Sequence, residues 1–261
     1  MADSKTKPGA SKPVRIDTTL QKGLQVLEAL TRAEGGKGVT ELSRELDLTK
    51  SNTFRLLQTL TALGYVRSSE SKLYSPTLKV WQIAQSVIGN LDLPAIAGPH
   101  MRMLSQETNE TIYLAVPDGL SVVYIDKIES TKPIRTWNPI GGSAPLHCVG
   151  TGKAILAADY GRLRPQIADH LTGFTERTLT TLKQLDEDMI ATQKRGYAID
   201  TGEFREQVYS FGSAILLPNG RVIGALGVSV PDIQLDEARR QSICDSVLKA
   251  ATGVNASLCE L

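Results

Sequence analysis

The sequence predicts an α+β protein of two units: a helical N-terminal third closed by a short hairpin, and a C-terminal unit in which helices flank a curved, largely antiparallel sheet. Three observations lead there. The 261 residues suffice for roughly two domains of ordinary size, each with its own core. The first third repeats apolar residues at helical spacing, whereas the remainder alternates strand-like and helix-like runs. Two of the strand-like runs, 208–217 and 221–230, are joined by Pro218-Asn219-Gly220, a hairpin signal that implies antiparallel pairing.

Apolar residues make up 41% and charged residues 22%, ordinary globular values, so only residues 1–15, rich in Lys, Ser and Pro, read as a disordered tail. That tail lacks the apolar segment of a signal peptide, and no later stretch approaches ~18 uninterrupted apolar residues, so the expectation is a soluble, cytoplasmic chain with no membrane partner. Cys148, Cys244 and Cys259 are odd in number and form no CxxC pair, which argues against a disulfide framework and a zinc ribbon. His100, His147 and His170 are too widely spaced to suggest a metal site, and neither metal nor cofactor is expected. The net charge of +1 hides an asymmetry: residues 1–91 hold thirteen Lys/Arg against eight Asp/Glu, residues 92–261 sixteen against twenty. A basic front fits a polyanionic partner and an acidic rear does not.

From Leu20, apolar residues at 20, 24, 27 and 30, with Val26 beside them, predict the inner face of a first helix, broken by the glycines of 34–38. Thr40 can cap a short second helix with Leu42 and Leu46 inward and Glu41 near its positive end. Residues 47–49 make a tight turn, Leu48 plugs the angle between helices, and Thr49 caps a third helix. Phe54, Leu57, Leu60 and Leu63 are expected inside, with Leu56 widening the stripe, and Gly64 stops the helix.

Two short helices joined by a tight turn form a helix-turn-helix. Lys50, Ser51, Asn52 and Arg55 occupy the first turns of its second helix, where a helix seated in the major groove meets phosphates and base edges. Arg and Lys neutralise phosphate or pair with guanine, Asn pairs with adenine, and Ser donates to phosphate. No acid occurs from Thr49 to Ser69. Residues 65–77 then read as strand, polar turn and strand, the wing of a winged helix-turn-helix over 16–76, with Arg67 and Lys72 placed for backbone contact. Thr40, Thr49, Lys50, Ser51, Asn52, Arg55, Arg67 and Lys72 are the expected contacts to double-stranded DNA. A polar hairpin on a generic three-helix domain, or a winged helix that binds protein, would carry similar charges; helix pair, charge sign and hairpin agree in favouring DNA.

Residues 77–91 predict a linker helix whose Leu78, Trp81, Ile83, Ala84, Val87 and Ile88 are too apolar to stand alone in water. Either a partner chain in a symmetric dimer or the chain's own domain could cover it. In 92–261 the pattern gives a helix after Pro94, strands at 111–117 and 121–128, helices near 149–158, 162–170 and 182–195, strands at 196–200, 208–218 and 221–231, and a final helix over 236–257.

The run PLHCVGTGKAIL, 145–156, looks like a phosphate loop and is not one: the positions that need Gly and Ser or Thr hold His147 and Ala154. His147 and Cys148 are sequence neighbours with no third residue to orient them, a poor nucleophilic pair, so a small hydrolase using Cys148 is only the rival reading. A helix starting near Gly150 would instead offer free amides and a positive dipole end to an anion.

The segments GVTELSRELDLTKSNTFRLLQTLTALGYV, PLHCVGTGKAILA, GYAIDTGEF and GRVIGALGVSVP, in this order and spacing, resemble the IclR family of bacterial transcription regulators across nearly the full length. The resemblance implies a non-enzymatic repressor or activator: a winged helix-turn-helix, a linker helix, and a GAF-like effector domain over 92–261 that binds a small organic acid and controls a catabolic operon. It also implies homodimers or dimers of dimers (homotetramers) on palindromic operators. It places the effector's acid group at Gly150 and Thr151, with Lys153 pointing away, and Asp200 as acceptor of an effector hydroxyl. Ser210 stands where many relatives have cysteine. Gly227 and Ser229 stand where some have two serines, so Ser229 keeps a hydroxyl while Gly227 loses one and gains space. Ala144 completes the set. Fewer polar anchors and a nearby Trp137 would suit a bulkier, aromatic acid.

Overall fold

The computed structural model describes residues 16–33, 35–88, 92–136 and 138–260, without the side chains of 84–88. The expected tail over 1–15, the end of the linker at 89–91 and Trp137 lie outside the described residues. The chain separates into two compact units, Met1–Leu91 and Asp92–Leu261.

The first unit runs α1 (Thr18–Thr31), α2 (Val39–Glu45), α3 (Lys50–Ala62), β1 (Val66–Ser68), β2 (Tyr74–Pro76) and α4 (Leu78–Ile88). Asp17 caps α1 by accepting from the amides of Thr19 and Leu20 at 2.9 Å. Val26, Ala29 and Leu30 of α1 meet Leu42 of α2, Leu56 and Leu57 of α3, and Val66 and Tyr74 of the hairpin in one core. Lys37 joins the hairpin by exchanging backbone hydrogen bonds with Tyr74 at 2.9 and 3.0 Å.

Three expectations need correction. Leu20 and Leu24 face outward on α1, as do Phe54 and Leu63 on α3, although all four were expected inside. Residues three apart turn 300° about a helix, so a strict three-residue repeat slides 60° off its face per step; the face that stays inside α3 is Thr53, Leu56 and Leu57, with Leu60 half-buried. Thr40 does not cap α2, because the Lys37 bridge brings the chain into the helix earlier and Gly38 takes the cap position. Thr49 caps α3 as expected, accepting from the Asn52 amide at 3.2 Å. Along α4, Leu78 and Trp81 are exposed.

The second unit comprises α5 (Leu93–Thr108), β3 (Thr111–Asp118), β4 (Ser121–Ile128), β5 (Ser143–Pro145), α6 (Gly150–Ala158), α7 (Tyr160–Ile167), α8 (Leu182–Arg195), β6 (Ala198–Thr201), β7 (Val208–Leu216), β8 (Val222–Pro231) and α9 (Glu237–Cys259). The strands form one sheet in the order β5-β4-β3-β8-β7-β6, antiparallel at every junction. Strand β5 has no signal in the sequence, being three residues held to Ser121–Val123. Strand alternation sends Tyr113, Tyr124, Ala198 and Ala225 to one face, where α6, α7 and α8 complete a core. Helices α5 and α9 pack on each other and on the sheet.

Cations close the outer edge of β6. The carbonyls of Tyr197, Ile199 and Thr201, spaced two apart and turned away from β7, accept from Arg195 Nε at 2.6 Å, Lys153 Nζ at 2.6 Å and Arg177 at 2.8 Å.

Candidate functional site

In the first unit, Lys50, Ser51 and Arg55 lie exposed at the start of α3, Asn52 is half-buried, and no side chain of the four makes a polar contact with another described residue. The unpaired first-turn amides and the helix dipole add positive potential at the same end. Thr40 is exposed on α2. On the hairpin, Arg67 Nε donates across the strands to Ser75 Oγ at 3.2 Å, while Lys72 stands exposed at the tip with φ +59°. The expected list omits Gln58, which is exposed one turn beyond Arg55. Its signal was present, since Gln58 sits seven residues from Ser51 and so on the same stripe.

In the second unit, sheet register builds a cavity of about 400 Å³. Asp200 is opposite Ser210, Ser210 opposite Ser229, and Tyr113 opposite Gly227, so alternate residues of four strands share one wall. Tyr124 leans on Tyr113 with ring centroids 4.9 Å apart and planes inclined at 48°. The segment after β4 contributes Arg135, Thr136 and Asn138, the Asn138 amide donating to Tyr113 Oη at 2.9 Å. Phe204 and Arg205 close the other side.

Five of the residues expected from the resemblance line this wall: Thr151, Asp200, Ser210, Gly227 and Ser229. Ala144 and Gly150 do not. Ala144 is buried on β5 beside Val122. Gly150 lies against the backbone of β7, where a Cβ would come within 2.8 Å of Phe211, and its amide already donates to Ser210 Oγ at 2.9 Å. The expected space at Gly227 is also absent, because a Cβ there would lie 2.4 Å from the Thr151 methyl that fills it. Thr151 Oγ1 is buried with the Tyr124 hydroxyl as its polar neighbour, and the two make no hydrogen bond of ordinary geometry.

Asp200 is engaged within the chain. Its Oδ1 accepts from the amides of Gly202 and Glu203 at 3.0 and 2.7 Å, and its Oδ2 from Ser210 Oγ at 2.6 Å. Burial pushes its carboxyl up to about 6 against these bonds, and burial raises the Tyr124 hydroxyl to about 12. Lys153 points away from the cavity, as expected, into a buried cluster with Glu203 and Asp188. The sequence reading missed both tyrosines and both arginines of the wall; period-two alternation along β3 and β4 was the signal for Tyr113 and Tyr124, whereas Arg135 and Arg205 lie outside strands and leave none.

The hydrolase reading fails on geometry. Cys148 is fully buried, its thiol directed at the Pro145 carbonyl at 3.9 Å, and burial raises its pKa far from thiolate formation. The His147 ring bonds the Thr172 carbonyl at 3.0 Å, and burial lowers its pKa. Among the described residues no cluster of His, Cys, Asp and Glu could hold a metal ion, and no helix is long and apolar enough to cross a membrane.

A helix-turn-helix with a basic, uncovered second helix in one unit and a ligand-sized cavity in the other define a DNA-binding transcription regulator with a sensor domain. Residues 19–70 match the IclR helix-turn-helix domain, and residues 85–256 match the C-terminal domain of the bacterial transcriptional regulator IclR. The chain is 34% identical over 247 residues to the HTH-type transcriptional regulator KdgR of Escherichia coli K12, covering 92% of each chain. It is 31% identical over 257 residues to the HTH-type transcriptional repressor AllR of the same organism, covering 97% of this chain and 95% of that one. An IclR homologue of Microbacterium hydrocarbonoxydans, crystallised with 4-hydroxybenzoate, shares the fold with a TM-score of 0.79 at 20% identity, over 94% of this chain and 100% of that one. The chain belongs to the IclR family of transcriptional regulators.

Proposed function

We propose that this regulator binds a palindromic operator as a symmetric dimer or dimer of dimers, and that a small organic acid in the cavity alters the spacing of its two α3 helices. Only one spacing fits the operator, so an acid that prefers one arrangement shifts occupancy, tenfold for each ~1.4 kcal/mol of preference. Helix α4, with Leu78 and Trp81 exposed, is the contact between copies. The regulated genes form a catabolic operon for the acid.

The observation that carries the effector half is a cavity of about 400 Å³, a common size for small-ligand sites, whose wall sets Thr151 beside two tyrosine rings and the arginines Arg135 and Arg205. The acid group sits by the hydroxyl and amide of Thr151 at the start of α6, within reach of Arg135 or Arg205, and Tyr113, Tyr124 and Phe204 suit a ring. A relative of the same fold holds 4-hydroxybenzoate, a ligand of that kind. Asp200 fixes the Ser210 hydroxyl, and Ser229 adds a polar group to the wall. Titration calorimetry with aromatic and aliphatic carboxylates is expected to find at least one ring-bearing acid that binds, and Thr151→Val to weaken it by about tenfold. Absence of heat with every acid, or unchanged affinity in the variant, refutes this reading.

For the operator half, Arg55→Ala is expected to weaken binding to the promoter fragment of the chain's own locus by about tenfold or more, with thermal unfolding unchanged. Wild-type affinity should fall steeply with salt. Salt-independent binding, unaltered in Arg55→Ala, would mean that the winged helix docks protein.

A further inference from the structure

Phe54 stands on the outer side of α3, 44% exposed, and takes no part in the core cluster of its domain. Positions i, i+3, i+4 and i+7 share one stripe of a helix, so Ser51, Phe54, Arg55 and Gln58 present a common face, all four exposed. The opposite face, Thr53, Leu56 and Leu57, is buried. A phenyl ring held in water between a hydroxyl and a guanidinium is unfavourable until something covers it.

Charge decides between the two candidate covers. Lys50 and Arg55 flank the ring, and no acid occurs between Thr49 and Ser69. A second copy docked symmetrically on this face would set cation against cation. A duplex meets no like charge there, and the apolar feature that its major groove offers is the C5 methyl of thymine. We propose that Phe54 is a specificity-determining residue that packs on a thymine methyl in the major groove, next to the polar contacts of Arg55 and Gln58. The proposal rests on the DNA binding of the family and is independent of the effector reading.

The test uses the full chain and duplexes that it selects from a random-sequence pool. In the selected site each thymine is replaced in turn by deoxyuridine, which removes the methyl and leaves base pairing intact. Wild type is expected to lose about fourfold in affinity at one or more thymines, the effect of one methyl-sized apolar group. Phe54→Ala should bind the unmodified site at least that much more weakly and lose nothing further at those positions, whereas Phe54→Leu should keep part of the sensitivity. Because Phe54 is exposed, both variants should melt with the wild type.

Equal sensitivity of wild type and Phe54→Ala to deoxyuridine at every thymine would overturn the proposal. So would a loss in Phe54→Ala that is uniform across unrelated duplexes, or a markedly lowered melting temperature, which would assign the ring a structural role. A shift of Phe54→Ala to a smaller species in sedimentation would assign it to contact between copies and also overturn it.

Discussion

Replacing Lys153 with methionine is expected to destabilise the C-terminal unit by about 3–5 kcal/mol, the usual cost of removing one partner from a buried ion pair. The Lys153 side chain is 1% exposed, and its ammonium lies 2.7 Å from Glu203 Oε1, 2.9 Å from Asp188 Oδ2 and 2.6 Å from the Ile199 carbonyl. Methionine keeps most of the apolar stem, so the loss is electrostatic and leaves little cavity. Burial opposes the charge on Lys153, but Glu203 and Asp188 outweigh it and hold the ammonium above its ordinary pKa. Burial also pushes Glu203 up to about 7 even with Lys153 beside it.

Without the lysine, the Glu203 pKa moves further up. Between the ordinary carboxylate range and that raised value the folded variant binds more protons than the unfolded chain, so its stability falls as pH rises and its deficit is larger at pH 8 than at pH 5. Urea unfolding followed by far-UV circular dichroism at the two pH values reads both effects. Adding Glu203→Gln to the variant should restore much of the loss at pH 8. A deficit below about 1 kcal/mol at pH 8 is incompatible with a buried ion pair of this kind.

Gly212→Ala is the second large effect, a loss of about 3 kcal/mol at the top of the range for overpacking, or some 6–12 °C in melting temperature for a unit of this size. A Cβ at Gly212 would lie 2.3 Å from the carbonyl oxygen of Gly150 and 2.6 Å from the amide nitrogen of Thr151. Both are backbone atoms at the start of α6, so no rotamer change relieves the clash and the helix must lift from the sheet. Thr151 leaves the cavity wall with it, so any acid that wild type binds should be held at least about tenfold more weakly. Gly161→Ala is the control: apart from its chain neighbours and its own helix backbone nothing lies within 4 Å of its added carbon, and the helix-favouring residue should leave stability unchanged or raise it by up to about 1 kcal/mol. If the two variants melt together, the glycine contact is not what seats α6.

The architecture was legible where pattern and chemistry coincide. Helix spacing, the Pro218–Gly220 turn and the polar face of α3 were enough for two units, an antiparallel sheet and an exposed basic helix. Side-chain direction was less so, because α1 and α3 carry more leucines and aromatics than their cores can hold; Leu20, Leu24, Phe54 and Leu63 became visible as surface only once Val26, Leu30, Leu56 and Leu57 were seen filling the interior. At the cavity, resemblance located Thr151, Asp200, Ser210, Gly227 and Ser229. It could not tell that Gly150 and Gly227 serve close approach of helix to sheet, since a missing Cβ looks the same in sequence whether it leaves room for a ligand or for backbone. Arg135 and Arg205 come from irregular segments, to which periodicity assigns no direction.

With Arg195, Lys153 and Arg177 each occupying a carbonyl along its rim, β6 offers an incoming polypeptide no row of free acceptors. The opposite rim is different in kind, the three-residue β5 covering only Ser121–Val123 of β4. Strand addition from another chain thus has little to template on along the β6 flank of the folded sensor.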